Sequence, residues 1–297
     1  MLGQGVVGAV APVGVAMVFG AFLFGIGMQV AGACASGTLF TAGGGNTRMF
    51  VVLTFFCAGT FWASLDLWWW NALPGFGRVA LTDVFGTVPG VALQLALIGA
   101  LFLGLRRLGT GHGRPLWPPG GPGGMNARAL LRGPWPLLLS AGLLALLNWA
   151  TLVVAGHPWS ITWGFTLWGA KAAAALGWDP ATSGFWTGGF QEAALARSVF
   201  LDTTSVMDFG IMLGALLAAG MAGRFKPTAR IGLRPLAAAV AGGLLLGYGA
   251  RLAYGCNIGA FFSGIASTSL HGWVWIVCAI AGNAVGVRLR PLFHAGG

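Results

Sequence analysis

The sequence predicts an all-α integral membrane protein, a polytopic helical bundle with inverted pseudo-two-fold repeats and re-entrant half-helices that carry cysteine loops. Three observations predict it. First, 57% of the 297 residues are hydrophobic and only 7% are charged, against about 25% charged in a soluble domain. Second, residues 1–47, 84–105, 133–170 and 252–287 contain no Asp, Glu, Lys or Arg, and about 20 apolar residues suffice to cross a ~30 Å hydrocarbon core. Third, a glycine-rich, cysteine-bearing segment occurs twice. The alternating apolar and polar segments of a membrane β-barrel do not occur.

Taken in order, hydrophobic helices are expected near 5–28, 48–64, 90–106, 135–154, 206–222, 236–250 and 272–289. The segment 158–200 contains Lys171, Asp179, Glu192 and Arg197, too polar for two clean spans, and suits shorter or protein-buried helices. Residues 109–134 form a basic, Gly/Pro-rich linker without a helical period. It divides a first membrane repeat (1–108) from a second (135–297).

The net charge of +10 does not point to nucleic acid. Arg106, Arg107, Arg114, Arg128 and Arg132 crowd one connection, and Arg224, Lys226, Arg230 and Arg234 another, the positive-inside pattern of cytoplasmic loops in a chain surrounded by membrane lipid. Asp66 and Asp83 flank a Trp-rich connection (Trp68, Trp69, Trp70) that reads as an external interfacial belt. The N-terminal stretch has no basic region and outruns a signal-peptide core.

Shifting the chain by 222 residues lays 20–41 on 242–263. Gly20, Leu23, Gly25, Gly27, Ala31, Cys34, Gly37 and Phe40 then match Gly242, Leu245, Gly247, Gly249, Ala253, Cys256, Gly259 and Phe262. Arg48 follows the first copy, whereas Arg230 and Arg234 precede the second. With basic ends inside, the copies enter from opposite sides, the arrangement that puts a transporter's substrate site near the midplane. Residues 158–222 of the second half would map before residue 1, so the first repeat is expected to lack its opening hairpin.

Each copy reads C-x-x-G-x-[LF]-F-[TS] and then breaks, in the first copy at Gly43, Gly44 and Gly45. Irregular backbone at membrane depth survives only when buried in protein or lining a cavity. The candidate translocation residues are Cys34 and Cys256 with Gly37 and Gly259, the neutral donors Gln29, Ser36, Thr38, Asn46 and Asn257, and Arg251. Ser263 is a further neutral donor. A thiol is a weak S–H donor and a polarizable contact, suited to a soft sulfur atom. Two readings of Arg251 stand side by side: an anion-attracting cation, or a residue that pairs with a carboxylate or snorkels. Cys57 and Cys278 read as small buried hydrophobes. Lys171 reads as an interfacial anchor and His271 as an interfacial helix start. Glu192, Asp202 and Asp208 read as loop or structural pairing. The four cysteines include no CxxC pair or neighbouring His, so no metal is expected. Nor is any cofactor, since no nucleophile–base or nucleotide-binding pattern occurs.

The segments 29–48 (QVAGACASGTLFTAGGGNTR), 247–273 (GYGARLAYGCNIGAFFSGIASTSLHGW) and 157–171 (HPWSITWGFTLWGAK) resemble the signature segments of the YeeE/YedE family of bacterial sulfur-transport membrane proteins. The resemblance implies a multi-pass protein of the bacterial inner membrane. It implies a permease for thiosulfate or a similar small sulfur anion, passed between Cys34 and Cys256 by S–H···S contacts. It also implies a small cytoplasmic sulfur-carrier protein as companion. Some relatives are tied to selenium, and a membrane thiol redox or sulfur-transfer protein is the competing reading. The family's further N-terminal cysteine has no match here.

Overall fold

The computed structural model describes residues 5–108, 135–225, 227 and 230–293; the linker assigned to 109–134 lies outside them. Among the described residues the secondary structure is helical apart from one short ribbon and an isolated bridge, as an apolar chain in lipid needs to satisfy its backbone internally. Strand β1 (Pro12–Gly14) leads into helix α1 (Val15–Ala31), a short α2 (Ala35–Gly43) and a long α3 (Thr47–Asn71). Strand β2 (Gly75–Arg78) pairs antiparallel with β1. Next come α4 (Leu81–Phe85), α5 (Thr87–Arg107) and α6 (Leu137–Ala155), then α7 (Thr162–Ala175), α8 (Gly189–Ala196) and α9 (Thr203–Met221). The second copy comprises α10 (Leu233–Leu252), a π-helical turn (Asn257–Phe262), α11 (Ser263–Ala266) and α12 (Leu270–Phe293).

Among the described residues, seven helical segments are long and apolar enough to cross a membrane. The chain is therefore a multi-pass membrane protein. α5 and α6 expose most of their apolar surface, with Leu95 at 63% and Leu144 at 50%, and this face meets lipid. Two expectations need correction. Residues 5–11 are not helical; Val7 and Ala9 instead bond to Gly156 and Ser267. Trp68, Trp69 and Trp70 form the last turn of α3 rather than a connection. The polar segment 158–200 does hold a short, protein-buried helix, as expected: α7 is largely buried and packs on α3.

The repeat recurs as a packing symmetry. A Cβ on Gly20 would stand 2.7 Å from the Gly249 carbonyl oxygen, and one on Gly27 3.2 Å from that of Gly242. These two contacts exchange under the 222-residue shift. The start of α1 therefore meets the end of α10, so the matched helices run antiparallel. The flanking helices obey the same rule. Gly282 of α12 sits on Phe22 and Gly25 of α1, as Gly59 of α3 sits on Leu244 and Gly247 of α10. Helices in lipid associate through close van der Waals packing, which small residues permit. Arg234, Arg288 and Arg290 fall at the end where Ala31 meets Gly242, opposite the β1–β2 ribbon, so the basic ends share one side.

Candidate translocation site between two cysteine elbows

Each copy turns sharply before its cysteine. α1 ends at Gly32, whose φ of 78° is left-handed, and α10 ends just before Tyr254, with φ of 56°. Gly32 and Tyr254 are equivalent under the repeat. Two residues on, Cys34 and Cys256 occupy the N-cap positions of the next helical segments in extended backbone, with φ of −92° and −115°. Thr38 N donates to the Cys34 carbonyl at 2.8 Å, and Ala260 N to that of Cys256 at 2.8 Å. Both thiols thus stand at helix N-termini, where free amides and the macrodipole favour negative charge. Sequence alone left open which helix ends face the site.

The two N-termini converge. α2 touches the π turn, Cys34 packs against the core that includes Cys256, and the two thiols lie within electrostatic reach of each other. Cys256 is 1% exposed, and Cys34 is half-buried. The Cys34 Sγ accepts from Gly37 N at 3.4 Å and lies 3.5 Å from Ser36 Oγ. Cys256 has no such cap bond, although the amides of Gly259 and Ile258 lie close to it. Gly37 and Gly259 keep these amides open, since among the described residues the one foreign atom near a Cβ on Gly259 would be Ser160 Cα at 4.0 Å. All four cysteines are free thiols.

The remaining candidates divide. Thr38 is buried and donates to the Cys34 carbonyl at 2.8 Å, so it shapes the elbow. Asn257 beside Cys256 keeps its Oδ1 buried without a partner among the described residues. Asn46 caps α3, accepting from Arg48 N at 3.1 Å. Gln29 donates to Asn283 Oδ1 at 2.7 Å on the α1–α12 seam, an interhelical bond and not a contact with either thiol. Arg251 pairs with no carboxylate among the described residues. Its guanidinium lies over the Phe185 ring, 4.6 Å from the centroid, beside Tyr254, and its Nε is buried and unpartnered. Ser263 donates to the Trp159 carbonyl at 2.9 Å, laying the segment after α6 against the second elbow.

Two residues given other readings from sequence prove to be supports. Arg48 Nη2 donates to the Ala31 carbonyl, and His271 Nε2 to the Ala253 carbonyl at 2.9 Å. A carbonyl can only accept, so Nε2 carries the proton. Ala31 and Ala253 are repeat equivalents, and Arg48 and His271 correspond once the second copy's extra residue is counted. Each ties the first turn of the long helix after the elbow (α3 or α12) to the C-terminal end of the long helix before it (α1 or α10). His271 is 1% exposed, so it is a buried strut and not an interfacial residue. Lys171 likewise donates to the Leu195 and Arg197 carbonyls at 2.6 Å each, bracing α8. A cavity of about 330 Å³ under the β1–β2 ribbon is lined by Trp70, Asn71 and Tyr254 among others, and Tyr254 stands two residues from Cys256.

A family model described as sulphur transport matches residues 4–285. The chain belongs to that family. It is 33% identical over 166 residues to the probable transporter YedE of Escherichia coli (strain K12), covering 54% of this chain and 39% of that protein. It is 28% identical over 284 residues to the thiosulfate transporter TsuA of Spirochaeta thermophila, covering 90% of this chain and 74% of that one. With the thiosulfate transporter TsuA of Escherichia coli (strain K12) it shares 25% identity over 274 residues, 89% and 71% of the two chains. The match thus spans 39% of the length of YedE and almost three quarters of the length of the TsuA proteins.

Proposed function

We propose that the chain is a permease of the bacterial inner membrane that admits thiosulfate or a closely similar sulfur anion, handing it from one elbow thiol to the other. The observation that carries this reading is the pair of thiols at two converging helix N-termini, one half-buried and one sealed. Each N-terminus is worth roughly half a positive charge. Together they attract an anion without the deep trap that a bare guanidinium at the same place would set. A neutral S–H group then donates weakly to a soft, polarizable sulfur, a contact that forms and breaks readily. Gly37, Gly259, Ser36 and Asn257 surround the thiols with amide and side-chain dipoles instead of charges, and Arg251 draws the anion toward the second elbow. The names of the TsuA relatives supply the substrate class. A small cytoplasmic sulfur carrier as receiver is part of the same reading.

The test is uptake of labelled thiosulfate by cells that lack other routes for it. Cys34→Ala and Cys256→Ala should each lower uptake by about tenfold or more, with the protein still present in the membrane. Full uptake with both thiols replaced removes them from the mechanism. A persulfide mass shift on either cysteine after exposure to thiosulfate would favour sulfur transfer over a relay of contacts.

A further inference from the structure

The acidic residues grouped together from sequence have different fates. Glu192 accepts from Gly188 N at 2.7 Å. Asp202 caps α9, accepting from Ser205 N at 2.8 Å, Ser205 Oγ at 2.7 Å and Trp163 Nε1 at 3.0 Å. Asp208, further along the same helix, is 0% exposed, and neither of its carboxyl oxygens has a hydrogen-bond partner among the described residues. Its Oδ2 presses on Gly164 of α7, where no Cβ fits.

An ionised carboxylate in such a place is held at high cost, and an apolar residue of similar size would serve stability better. Intramembrane carboxyls are functional by default. Asp208 also lies at the crossroads of the site. It lies within electrostatic reach of Cys256 of the second elbow and of Cys57 on α3, and its helix packs on α2 of the first elbow through Gly43 and Met212. The groups that face it are few. Asp202 acts from its own helix, Cys57 from α3 and Cys256 from the elbow. α2 and residues 199–201 bear no titratable side chain, and Lys171 of α7 is turned to the α8 carbonyls.

We propose that Asp208 is the proton-carrying carboxyl that couples anion movement to a proton gradient; this rests on the permease reading above. A proton from the side where the anion enters adds to one carboxylate oxygen, forming an O–H bond, and Asp208 becomes neutral. The anion then meets no opposing charge at Cys256. When the anion has left toward the other side, the O–H bond breaks and the proton passes to water there. No electrons move. Proton and anion favour each other's binding by the same factor, as linkage requires. A metal cation would need a shell of oxygen ligands, and no cluster of three or more His, Cys, Asp or Glu side chains occurs among the described residues. A proton needs only the carboxyl itself.

The test uses the full chain in liposomes with labelled thiosulfate. An acid-outside gradient should drive accumulation, and Asp208→Asn should lower it by roughly tenfold or more, within the 5–150-fold range of a two-site coupling. Asp208→Asn should also unfold at the same or a higher temperature than the native chain, because an unpartnered carboxyl has been removed. Infrared titration of the native chain should show the carbonyl stretch of a buried protonated carboxyl that Asp208→Asn lacks. Equal proton-driven accumulation in both proteins, accumulation that follows a sodium gradient instead, or absence of the infrared band overturns the proposal. Transport of a different sulfur oxyanion with the same dependence on proton gradient and Asp208 would overturn thiosulfate and keep the coupling. If no sulfur anion moves at all, the permease reading falls, and the infrared band alone decides whether Asp208 takes the proton.

Discussion

The two cysteine elbows share a backbone and differ in what decorates it. In the first, the left-handed positions are glycines, Gly32 at φ 78° and Gly45 at φ 103°. Their counterparts in the second are Tyr254 at φ 56° and Thr268 at φ 57°, the two non-glycine residues with positive φ among those described. A left-handed side chain costs roughly 1–2 kcal/mol, and for a β-branched threonine the conformation is a true outlier. Such strain persists only where neighbours over-determine it, and it gathers at functional sites. Both residues are held: Tyr254 Oη donates to Asn71 at 3.1 Å, and Thr268 Oγ1 lies 2.9 Å from Thr82 Oγ1. The second elbow also carries an extra residue. Phe261 N reaches the Cys256 carbonyl at 3.3 Å alongside Ala260 N, a π turn of the kind common at functional sites, whereas α2 stays α-helical. The glycine skeleton is thus symmetric and the chemistry placed on it is not. The buried thiol, the arginine and the strained tyrosine all fall in the second copy.

The skeleton's symmetry can be broken at equivalent points. Gly25→Leu and Gly247→Leu should each abolish the folded protein, because the new Cβ would land on the backbone of the facing helix, at Gly282 and Gly59 respectively. Overpacking typically costs about 1–3 kcal/mol and more where backbone must move, and thermal unfolding in detergent reads it. Gly142→Leu on α6, with nothing of the described residues within 4 Å of its Cβ, should leave the midpoint in place. A large effect at Gly25 with little at Gly247 would mean that the seams are not equivalent.

The chemical asymmetry should yield a smaller effect. Arg251→Gln installs the residue of the first copy, and the apparent KM for the anion should rise by about tenfold as one fixed charge is lost; separately, losing the ring contact with Phe185 should lower stability by about 0.5–2 kcal/mol. The reverse change, Gln29→Arg, should gain nothing in uptake. Gln29 is committed to Asn283, and a charge placed there faces the α1–α12 seam.

How much of this was legible beforehand follows from what each feature depends on. Charge-free intervals fix spans because lipid tolerates few charges, and helices α3, α5, α6, α9, α10 and α12 lie close to where hydropathy puts them. The repeat was legible because glycines at the seam can be read in register. The N-terminal extended segment was not, since Val6, Val7 and Val10 look like span. They depart from helix because residues 7 and 9 bond to Gly156 and Ser267. The three glycines 43–45 seemed one break and are three cases. Gly43 lets α2 meet the Met212 carbonyl, Gly44 is ordinary right-handed backbone, and only Gly45 needs the left-handed region. Asp202 and Asp208 were indistinguishable as letters, because burial and partners are properties of the packed bundle. Arg48 and His271 share no chemistry apart from N–H donation, so no pattern of residue types pairs them.

Substitutions at the two turns test whether the second elbow's strain is balanced. Gly32→Ala should cost about 1–2 kcal/mol, because a side chain at φ 78° is strained and nothing there holds it in compensation. Tyr254→Gly removes comparable strain. It also loses the bond to Asn71, a net contribution of about 0.5–1.5 kcal/mol, and adds glycine's backbone entropy, about 0.5–1 kcal/mol. The ring itself packs on the core and edge-on to His271, and losing it costs about 1.5–3 kcal/mol more. The strain released offsets the first two terms, so Tyr254→Gly should be destabilised by roughly the cost of the ring, read as a lower unfolding midpoint. A Tyr254→Gly protein as stable as native, or more so, would mean that the strain exceeds what the ring packing holds and is kept for function alone.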